Sequence, residues 1–356
     1  MNRFTLTLLL LSLFAVDFDA FAQRRRTNTR RASQRISSFT SRGRFAAIKQ
    51  YTTVGVSVGG NNYFGDIVPS TSVASTDLDF TRPSFGLWIA RRVHPNIELR
   101  GNFMWARLRG DDYGSQDPDA GDNSEVGRYI RNLHFRNDVK ELGFSVAFDL
   151  LGNNSTYIRR PPFTPYAHVG LAGFLHNPRA RAPEALGGEW EALQPLNTEG
   201  PSNEYSLLQV AIPAGIGFRY SLTNNLDIAL EIGYRFTFTD YLDDVASDYP
   251  DASTVANMDG LAQAMSFRSA EANAAVSGES RNLSSILSQR GLVVRSNDPN
   301  FRNGAGADYV ATSLNATSGH GPGSVRGNDD GPDAYIVTML KLRYIIAGQM
   351  RSPKFR

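Results

Sequence analysis

The chain has 356 residues, no cysteine and a formal net charge of +2. The absence of cysteine excludes thiolate metal sites, a cysteine nucleophile, disulfide bonds and a lipid-modified N-terminal cysteine. A hydrophobic content of 41% is too low for a helical membrane protein, whereas 32 glycines and 11% aromatic residues are typical of turn-rich all-β chains.

Residues 1–22 have the pattern of a secretory signal peptide. Arg3 supplies a positive charge, the run from Leu6 to Val16 is apolar, and Ala20-Phe21-Ala22 matches a cleavage site. The apolar run is too short to span a bilayer, which disfavours the alternative of an anchoring helix. We therefore expect an exported protein whose mature chain begins at Gln23.

Residues 23–50 form a basic segment with nine positive charges and no acid. Because the protein is expected to be exported, this composition does not indicate nucleic-acid binding. It fits either a disordered periplasmic tail or an electrostatic contact with an acidic partner or an anionic membrane surface. The arginines that we expect to bind a partner are Arg24, Arg25, Arg26, Arg30, Arg31 and Arg35.

Residues 51–346 show the apolar–polar alternation of β-strands. From Leu226 to Phe238 the alternation is strict, and seven further segments repeat it. The stretch exceeds the usual soluble strand of ~5–6 residues and suffices for the ~9–11 residues of a membrane-crossing strand. The faces opposite the apolar ones carry five acids and five bases: Glu98, Arg100, Glu141, Asp149, Arg219, Asp227, Glu231, Arg235, Lys341 and Arg343.

The connections between the predicted strands alternate in length. Such alternation is typical of outer-membrane barrels, which have short periplasmic turns and long extracellular loops. The long connections cover about 60–80, 110–130, 177–203 and 242–333, and the shorter ones lie around 94–96, 152–162 and 223–225.

These patterns predict an all-β fold, an eight-stranded antiparallel transmembrane β-barrel with long extracellular loops, over residues 51–346. An even strand number places both termini in the periplasm, including a C-terminal tail at 347–356. The interior of an eight-stranded barrel is just wide enough to be filled by side chains. We therefore expect the ten inward charges to pair with one another and the barrel to hold no open pore.

The sequence offers no persuasive catalytic site. Gly55-Val56-Ser57-Val58-Gly59 matches a nucleophile elbow, but it lies within an alternating strand and no helix follows. His168 and His176 share a strand face at a distance of roughly 26 Å, too far apart to bind one metal. We expect structural roles for all five histidines. A barrel enzyme that acts on lipids would need a Ser/His pair on one rim, so we predict that the protein is not an enzyme.

An acidic segment follows the most regular predicted strand. Asp240, Asp243 and Asp244 are candidate oxygen ligands for a hard cation such as Ca²⁺, and Asp248 and Asp251 follow closely. The alternative is a solvated acidic loop. Within the same long loop, residues 258–289 are expected to form short helices, whereas 296–333 have the composition of mobile coil.

Several ordered motifs resemble those of one family, the PorG-like outer-membrane proteins of Bacteroidetes. The resemblance covers about residues 50–250 and the last strand. The basic segment is not part of the family pattern, and the terminal aromatic residue of a barrel is displaced because the chain continues past Ile346. The motifs are Gly60-Asn61-Asn62-Tyr63-Phe64-Gly65-Asp66, Arg131-Asn132-Leu133-His134-Phe135-Arg136 followed by Glu141-Leu142, Tyr166 with Phe174-Leu175-His176-Asn177-Pro178, Asn197-Thr198-Glu199-Gly200, Ser206-Leu207-Leu208-Gln209 through Ile212-Pro213-Ala214-Gly215-Ile216-Gly217, and Phe238-Thr239-Asp240-Tyr241-Leu242-Asp243-Asp244-Val245.

The resemblance implies an outer-membrane component of the type IX protein secretion and gliding machinery. It also implies association with a periplasmic ring formed by a lipoprotein and its partner. We therefore expect a barrel that anchors or stabilises this ring, with outer-membrane lipid, the ring lipoprotein and associated secretion subunits as partners and no nucleic acid. The residues leave open a structural or adhesive surface barrel that acts through the long loop 242–333.

Overall fold

A computed structural model of the chain describes residues 49–67, 81–115, 123–269, 271–281, 320–327 and 331–346. The described residues belong to one unit, Ala47–Arg356. The predicted signal peptide, the six arginines of the basic segment and the predicted C-terminal tail lie outside the described residues.

Eight long antiparallel strands form a closed barrel, and each pairs with two neighbours. The barrel closes where the first and last strands pair from Thr52↔Ile346 to Phe64↔Ala334. This confirms the predicted fold. The eight strands are β1 (Thr52–Phe64), β2 (Arg82–Arg92), β3 (Ile97–Asp111), β4 (His134–Asp149), β5 (Phe163–Leu175), β8 (Leu208–Ser221), β9 (Leu226–Thr237) and β10 (Ala334–Ile346).

Two short strands, β6 (Pro178–Arg181) and β7 (Trp190–Ala192), form a hairpin in the connection between β5 and β8. The hairpin extends the sheet beyond the barrel, because β6 pairs with the start of β4 at Arg136↔Arg179. The strand pattern of the sequence does not predict this extension.

The connections alternate in length as predicted. Residues 93–96, 150–162 and 222–225 join strands at one end, the short-turn end. Residues 65–81, 112–133, 176–207 and 238–333 join them at the other, the long-loop end. Because β1 begins and β10 ends in register, both ends of the barrel chain lie at the short-turn end.

The outer surface of the barrel is apolar. Leu142 is 70% exposed, and Leu87, Leu171 and Ile216 are each 60% exposed. Transfer of one such side chain out of water is favourable by about 1.5–3 kcal/mol. The exposed side chains of the barrel obtain this free energy only when a hydrocarbon layer surrounds them. The strands alternate between this apolar exterior and a polar interior, which is the pattern of an outer-membrane barrel.

The described parts of the long loops contain four short α-helices: Asp112–Ser115, Asn123–Arg131, Ala252–Val255 and Gly260–Ser266. Asp251 and Asp259 begin the last two, because their carboxylates accept hydrogen bonds from the amides of Thr254 and Leu261. Gly260–Ser266 confirms a short helix in the region where one was expected. Within the described ranges, no helix is long and apolar enough to cross a membrane.

Two sequence-based expectations about the last long loop are corrected. The alternation around Phe238 continues past the strand, yet β9 ends at Thr237, whose hydroxyl donates to the carbonyl of Asp333 at 2.5 Å. Residues 320–327 and 331–333 are packed rather than mobile, with Arg326 and Asp333 buried. Buried polar contacts hold this part of the chain, a feature that its glycine- and aspartate-rich composition hides.

Candidate functional site

The first candidate site is the barrel interior, where charged side chains converge on Glu98. Glu98 Oε1 lies 3.0 Å from Arg100 Nε, and Glu98 Oε2 lies 2.8 Å from Arg343 Nη2. Arg92 and Arg219 approach the same carboxylate at 3.6 and 3.7 Å and also pair with Asp149. One buried carboxylate therefore stands among four guanidinium groups.

Two further carboxylates organise the rest of the interior. Glu231 lies 2.9 Å from Arg100 Nη1 and 2.5 Å from Lys341 Nζ, and it accepts a hydrogen bond from Tyr166 at 3.0 Å. Glu141 pairs with Arg235 at 3.1 Å and accepts a hydrogen bond from Tyr335 at 3.1 Å. All ten predicted inward charges take part in ion pairs, which confirms that prediction.

Little space is left inside the barrel. A cavity of about 40 Å³ lies among side chains that include Trp88, His168 and Glu231. A water molecule needs ~10–15 Å³ by this measure, so the cavity has room for about three waters and no larger guest. The interior is thus occupied by paired side chains in the manner expected of eight strands.

In the described part of the chain, two further arginines, Arg92 and Arg160, belong to the network beside the ten predicted charges. Arg92 lies at the end of β2 on its inward face, and Arg160 pairs with Asp227. The period-2 pattern places Arg92 in phase with Trp88 and Ala90, so this residue was within reach of sequence reasoning. Arg160 lies in a connection without periodicity, so no pattern points to it.

Ser57 and the histidines take the structural places that were expected of them. Ser57 is a buried residue of β1, beside Gly86, and β2 rather than a helix follows in the described chain. His134, His168, His176 and His320 are buried, and His94 lies in the turn between β2 and β3.

The second candidate site is a loop base at the long-loop end, built around Asp243, Asp244 and Asp333. Asp243 accepts hydrogen bonds from the amides of Ile67 and Val245, each at 3.0 Å. Asp333 accepts hydrogen bonds from Tyr63 Oη at 2.5 Å and from the amide of Leu242 at 2.8 Å. These contacts join the start and end of the last long loop to β1 and to the first loop.

Asp244 joins the loop base to the loop between β5 and β8. Its carboxylate accepts hydrogen bonds from Tyr205 Oη at 2.7 Å and from the hydroxyl of Thr198. Arg326 lies 3.6 Å from Asp244 Oδ2 and 3.1 Å from Glu199 Oε1. Asp244 also has φ 73°, a left-handed conformation that aspartate tolerates better than most residues.

Arg131 adds a third connection. Its guanidinium pairs with Asp112 at 2.8 Å, and it donates to the carbonyl oxygens of Asp66 at 2.9 Å and Arg326 at 2.7 Å. The loop base therefore collects residues from four of the motifs that carry the family resemblance. Their spacing in sequence hides the fact that they meet at one end of the barrel.

The pKa values of the loop-base carboxylates are raised. Burial, with repulsion from Asp66, raises the pKa of Asp243 well above its usual value. Burial and the nearby Asp243 likewise raise the pKa of Asp333. Burial raises the pKa of Asp244 to about 6, although Arg326 opposes the shift. The carboxyl groups of the loop base therefore become protonated at a higher pH than ordinary carboxyl groups do.

The three candidate cation ligands are placed in different ways. Asp243 and Asp244 are buried and bound by protein donors, whereas Asp240 is partly exposed. The alternative of a solvated acidic loop is wrong for Asp243 and Asp244. Across the described ranges, no group of three or more His, Asp or Glu side chains is arranged to hold a metal ion. Cation binding by these aspartates stays a prediction.

Sequence reasoning missed Asp333 and Arg326 because both lie in a segment that looked like coil. Arg131 and Glu199 were quoted as parts of motifs, but nothing in the sequence indicated that they are neighbours. A signal did exist: polar residues placed just before or after strands of one barrel end are expected to meet, because alternate strand ends lie at the same edge.

Three solved structures of outer-membrane proteins are similar to this chain. Neisserial surface protein A is 9% identical, with 82% of this chain and 96% of that chain covered and a TM-score of 0.34. OprG from Pseudomonas aeruginosa is 8% identical, with 84% and 97% covered and a TM-score of 0.33. Ail of Yersinia pestis, in complex with the heparin analogue sucrose octasulfate, is 9% identical, with 83% and 97% covered and a TM-score of 0.29.

No curated protein sequence matches the chain. One family model does match, over residues 39–259, and its description is a domain of unknown function, DUF6089. The match covers more than half of the 356 residues, including β1 to β9 and the start of the last long loop. The chain therefore belongs to the DUF6089 family.

Proposed function

We propose that this protein is a non-enzymatic outer-membrane barrel that anchors or stabilises a periplasmic ring of the type IX protein secretion and gliding machinery. The motifs that resemble the PorG-like proteins support the choice of machinery. The filled interior carries the rest of the argument, because a barrel without a conduit acts through its surfaces.

The short-turn end is the surface that we assign to the periplasm. Its turns are joined to one another: the amide of Asn153 donates to the carbonyl of Pro95 at 2.8 Å. Arg160 donates to the carbonyls of Thr223 and Asn224 at 2.7 and 2.6 Å. A surface that is already ordered loses less conformational entropy on binding, which favours its use as a docking face.

The basic segment is proposed to supply a second contact. Both ends of the barrel chain lie at the short-turn end, so the arginines from Arg24 to Arg35 are expected in the same compartment. A cationic segment accelerates encounter with an acidic partner and binds it in a salt-sensitive manner. The alternative is contact with anionic lipid headgroups.

Deletion of residues 24–44 behind an intact signal peptide tests this proposal. We expect normal insertion of the barrel, weaker recovery of periplasmic ring proteins that depends less on salt than recovery by the wild type, and reduced secretion. A matched variant that replaces the six arginines by glutamine separates the effect of charge from that of length. Unchanged recovery at every salt concentration would show that the basic segment is dispensable and move the contact to turns such as 93–96.

A second candidate function is a structural or adhesive surface barrel that acts through the long loops. The observation that favours it is a groove of about 180 Å³ between the β5–β8 loop and the last long loop, lined in part by Arg181, Glu184 and Glu271. Pull-down from envelope extracts separates the two functions. Recovery of ring proteins supports the anchor, whereas recovery of extracellular ligands supports adhesion.

A further inference from the structure

The outward face of β3, β4 and β6 changes from apolar to cationic near the long-loop end. Paired rows follow one another along these strands: Phe103↔Leu142, then Trp105↔Lys140, Arg107↔Asp138 and Arg109↔Arg136. Arg136 also pairs with Arg179 of β6. These residues share the outward parity of the exposed Leu142, so five cations and one acid border the apolar surface directly.

Most of this charge is uncompensated. Arg107 and Asp138 form a two-pronged ion pair at 2.6 and 2.8 Å. Arg109 lies 3.7 Å from Asp111, which is itself buried. Among the residues that the structure describes, Lys140, Arg136 and Arg179 form no ion pair. The outward rows therefore keep a net positive charge on one sector of the barrel.

Two tryptophans hold the guanidinium groups at this face. Arg107 lies over the ring of Trp105 at 5.5 Å, and Arg136 lies over the ring of Trp190 at 4.3 Å. Stacking uses the flat face of a guanidinium and leaves its N–H edges free to bind the oxygens of an anion. For Arg136, whose edge is not bound by a carboxylate in the described chain, the arrangement prepares a phosphate contact.

The position of the cations suits a lipid headgroup. Two residues of strand separate Leu142 from Lys140, which is about 7 Å. The headgroup region on each side of the hydrocarbon core is only roughly 5–8 Å thick. Lys140 lies one row beyond Leu142, within this layer, whereas Arg107 lies two rows and Arg109, Arg136 and Arg179 lie three rows beyond it, about 14 and 20 Å along the strand. The basic face therefore begins at the depth of the lipid phosphates and extends outward from it.

We propose that this basic face, Arg109, Arg136, Lys140 and Arg179, binds the phosphate-bearing headgroup of a membrane glycolipid in the leaflet at the long-loop end. Continuity with the apolar surface favours a lipid over a soluble polyanion, because the acyl chains of the same molecule rest on Phe103, Leu142 and their neighbours. The proposal requires membrane insertion and does not depend on the secretion role.

The test uses the full-length barrel in nanodiscs that contain diphosphorylated lipid A or its dephosphorylated form. Native mass spectrometry then counts the lipid A molecules that stay bound. Each cation near an anionic membrane surface contributes about fivefold in binding. We therefore expect R109Q/R136Q/K140Q/R179Q to lose on the order of 600-fold in retention of the diphosphorylated lipid. R136K/R179K is expected to keep most of it.

The matched control is R91Q/R159Q, which removes two exposed arginines from the short-turn end. We expect this control to retain the lipid like the wild type. If the quadruple variant fails to insert, R136Q/R179Q replaces it, with an expected loss of about 25-fold. Equal retention of the dephosphorylated lipid, or an equal loss in the control, would overturn the proposal. Displacement by millimolar inorganic phosphate or by heparin would also overturn it, since the site would then bind soluble polyanions.

Discussion

Asp333 and Asp243 form a buried pair of carboxylates. Their mutual repulsion makes the stability of the loop base depend on pH. Tyr63 and the amide of Leu242 satisfy Asp333, while Asp66 and Asp240 add further negative charge nearby. Because their pKa values are raised in the closed loop, the closed form binds more protons than an opened loop does. Stability of the loop base is therefore greatest near the ordinary carboxyl pKa and is lost as the pH rises through the raised values.

Asp333→Asn is expected to remove much of this pH dependence. The amide oxygen still accepts from Leu242, and the amide NH₂ donates to Tyr63 Oη, so the contacts survive without the charge. External protease should cleave the wild-type loop several-fold faster at pH 8 than the variant, with little difference at pH 5. Comparison of the two proteins at each pH cancels the protease's own pH dependence.

The exposed Asp248 provides a matched control for this prediction. The protease should cleave the Asp248→Asn variant at the same rate as the wild type at both pH values. If Asp333→Asn is cleaved faster than the wild type at pH 8, the charge of Asp333 stabilises the loop and the repulsion argument is wrong.

Asp244 differs from Asp333 because a cation lies beside it. Asp244→Ala removes the acceptor of the hydrogen bonds from Tyr205 and Thr198 together with one partner of Arg326, and hydrogen bonds to charged groups contribute about 1.5–3 kcal/mol each. We expect protease cleavage of the last long loop to become at least about tenfold faster at neutral pH.

The same assay decides the calcium prediction. If Asp240, Asp243 and Asp244 bind Ca²⁺, a chelator should speed cleavage of the wild type and have no further effect on the triple Asn variant. Identical cleavage of the wild type with and without chelator would show that Ca²⁺ does not stabilise the loop. The protein contacts of the loop base would then be sufficient to hold it.

At the scale of elements, the barrel strands are joined by inward carboxylates as well as by backbone hydrogen bonds. Glu98 of β3 contacts arginines from β2, β8 and β10, so one side chain connects four of the eight strands. Removal of one partner from a buried ion-pair cluster leaves uncompensated charge and costs about 3–5 kcal/mol.

Glu98→Gln should therefore lower the free energy of unfolding of the barrel by about 3–5 kcal/mol. The measurement is urea unfolding in lipid, followed by the different gel migration of unheated folded protein. Glu184→Gln, in an exposed loop position, serves as the control and should leave the midpoint unchanged. An unchanged midpoint for Glu98→Gln would mean that the arginines find solvent or other partners inside the barrel.

The apolar–polar alternation of the sequence makes the barrel strands predictable. The contacts between the loops are not predictable from it. Period-2 alternation from Leu226 onward identifies β9 because each second side chain meets either lipid or the interior. The alternation also predicts that the strand continues past Thr237, where the structure ends it. The hydrogen bond from Thr237 to Asp333 at this point joins residues 96 positions apart. Local pattern carries no information about such a contact.

The same limit holds for the candidate sites. The ten inward charges follow from parity within strands, so the composition of the interior was predictable even though individual pairs were not. The loop base needs the three-dimensional arrangement of four loops, and residues such as Arg131 and Arg326 reach it from irregular segments. The basic face was missed because its cations lie on strands whose apolar residues dominated the pattern.

For the whole molecule, the decisive property is whether the barrel conducts. Among the described residues, seven arginine and lysine side chains and five carboxylates form the ion pairs of the interior, and the cavity among them measures about 40 Å³. An ion that crosses must displace several of these buried pairs, each of which costs kilocalories to separate. Planar-bilayer recordings should therefore show no steady conductance. Glu98→Gln offers a sensitised comparison, because loss of the central carboxylate loosens the packing, and any brief openings should appear first in this variant. A steady channel of porin size in the wild type would contradict the filled interior and would replace the anchor with a transport function.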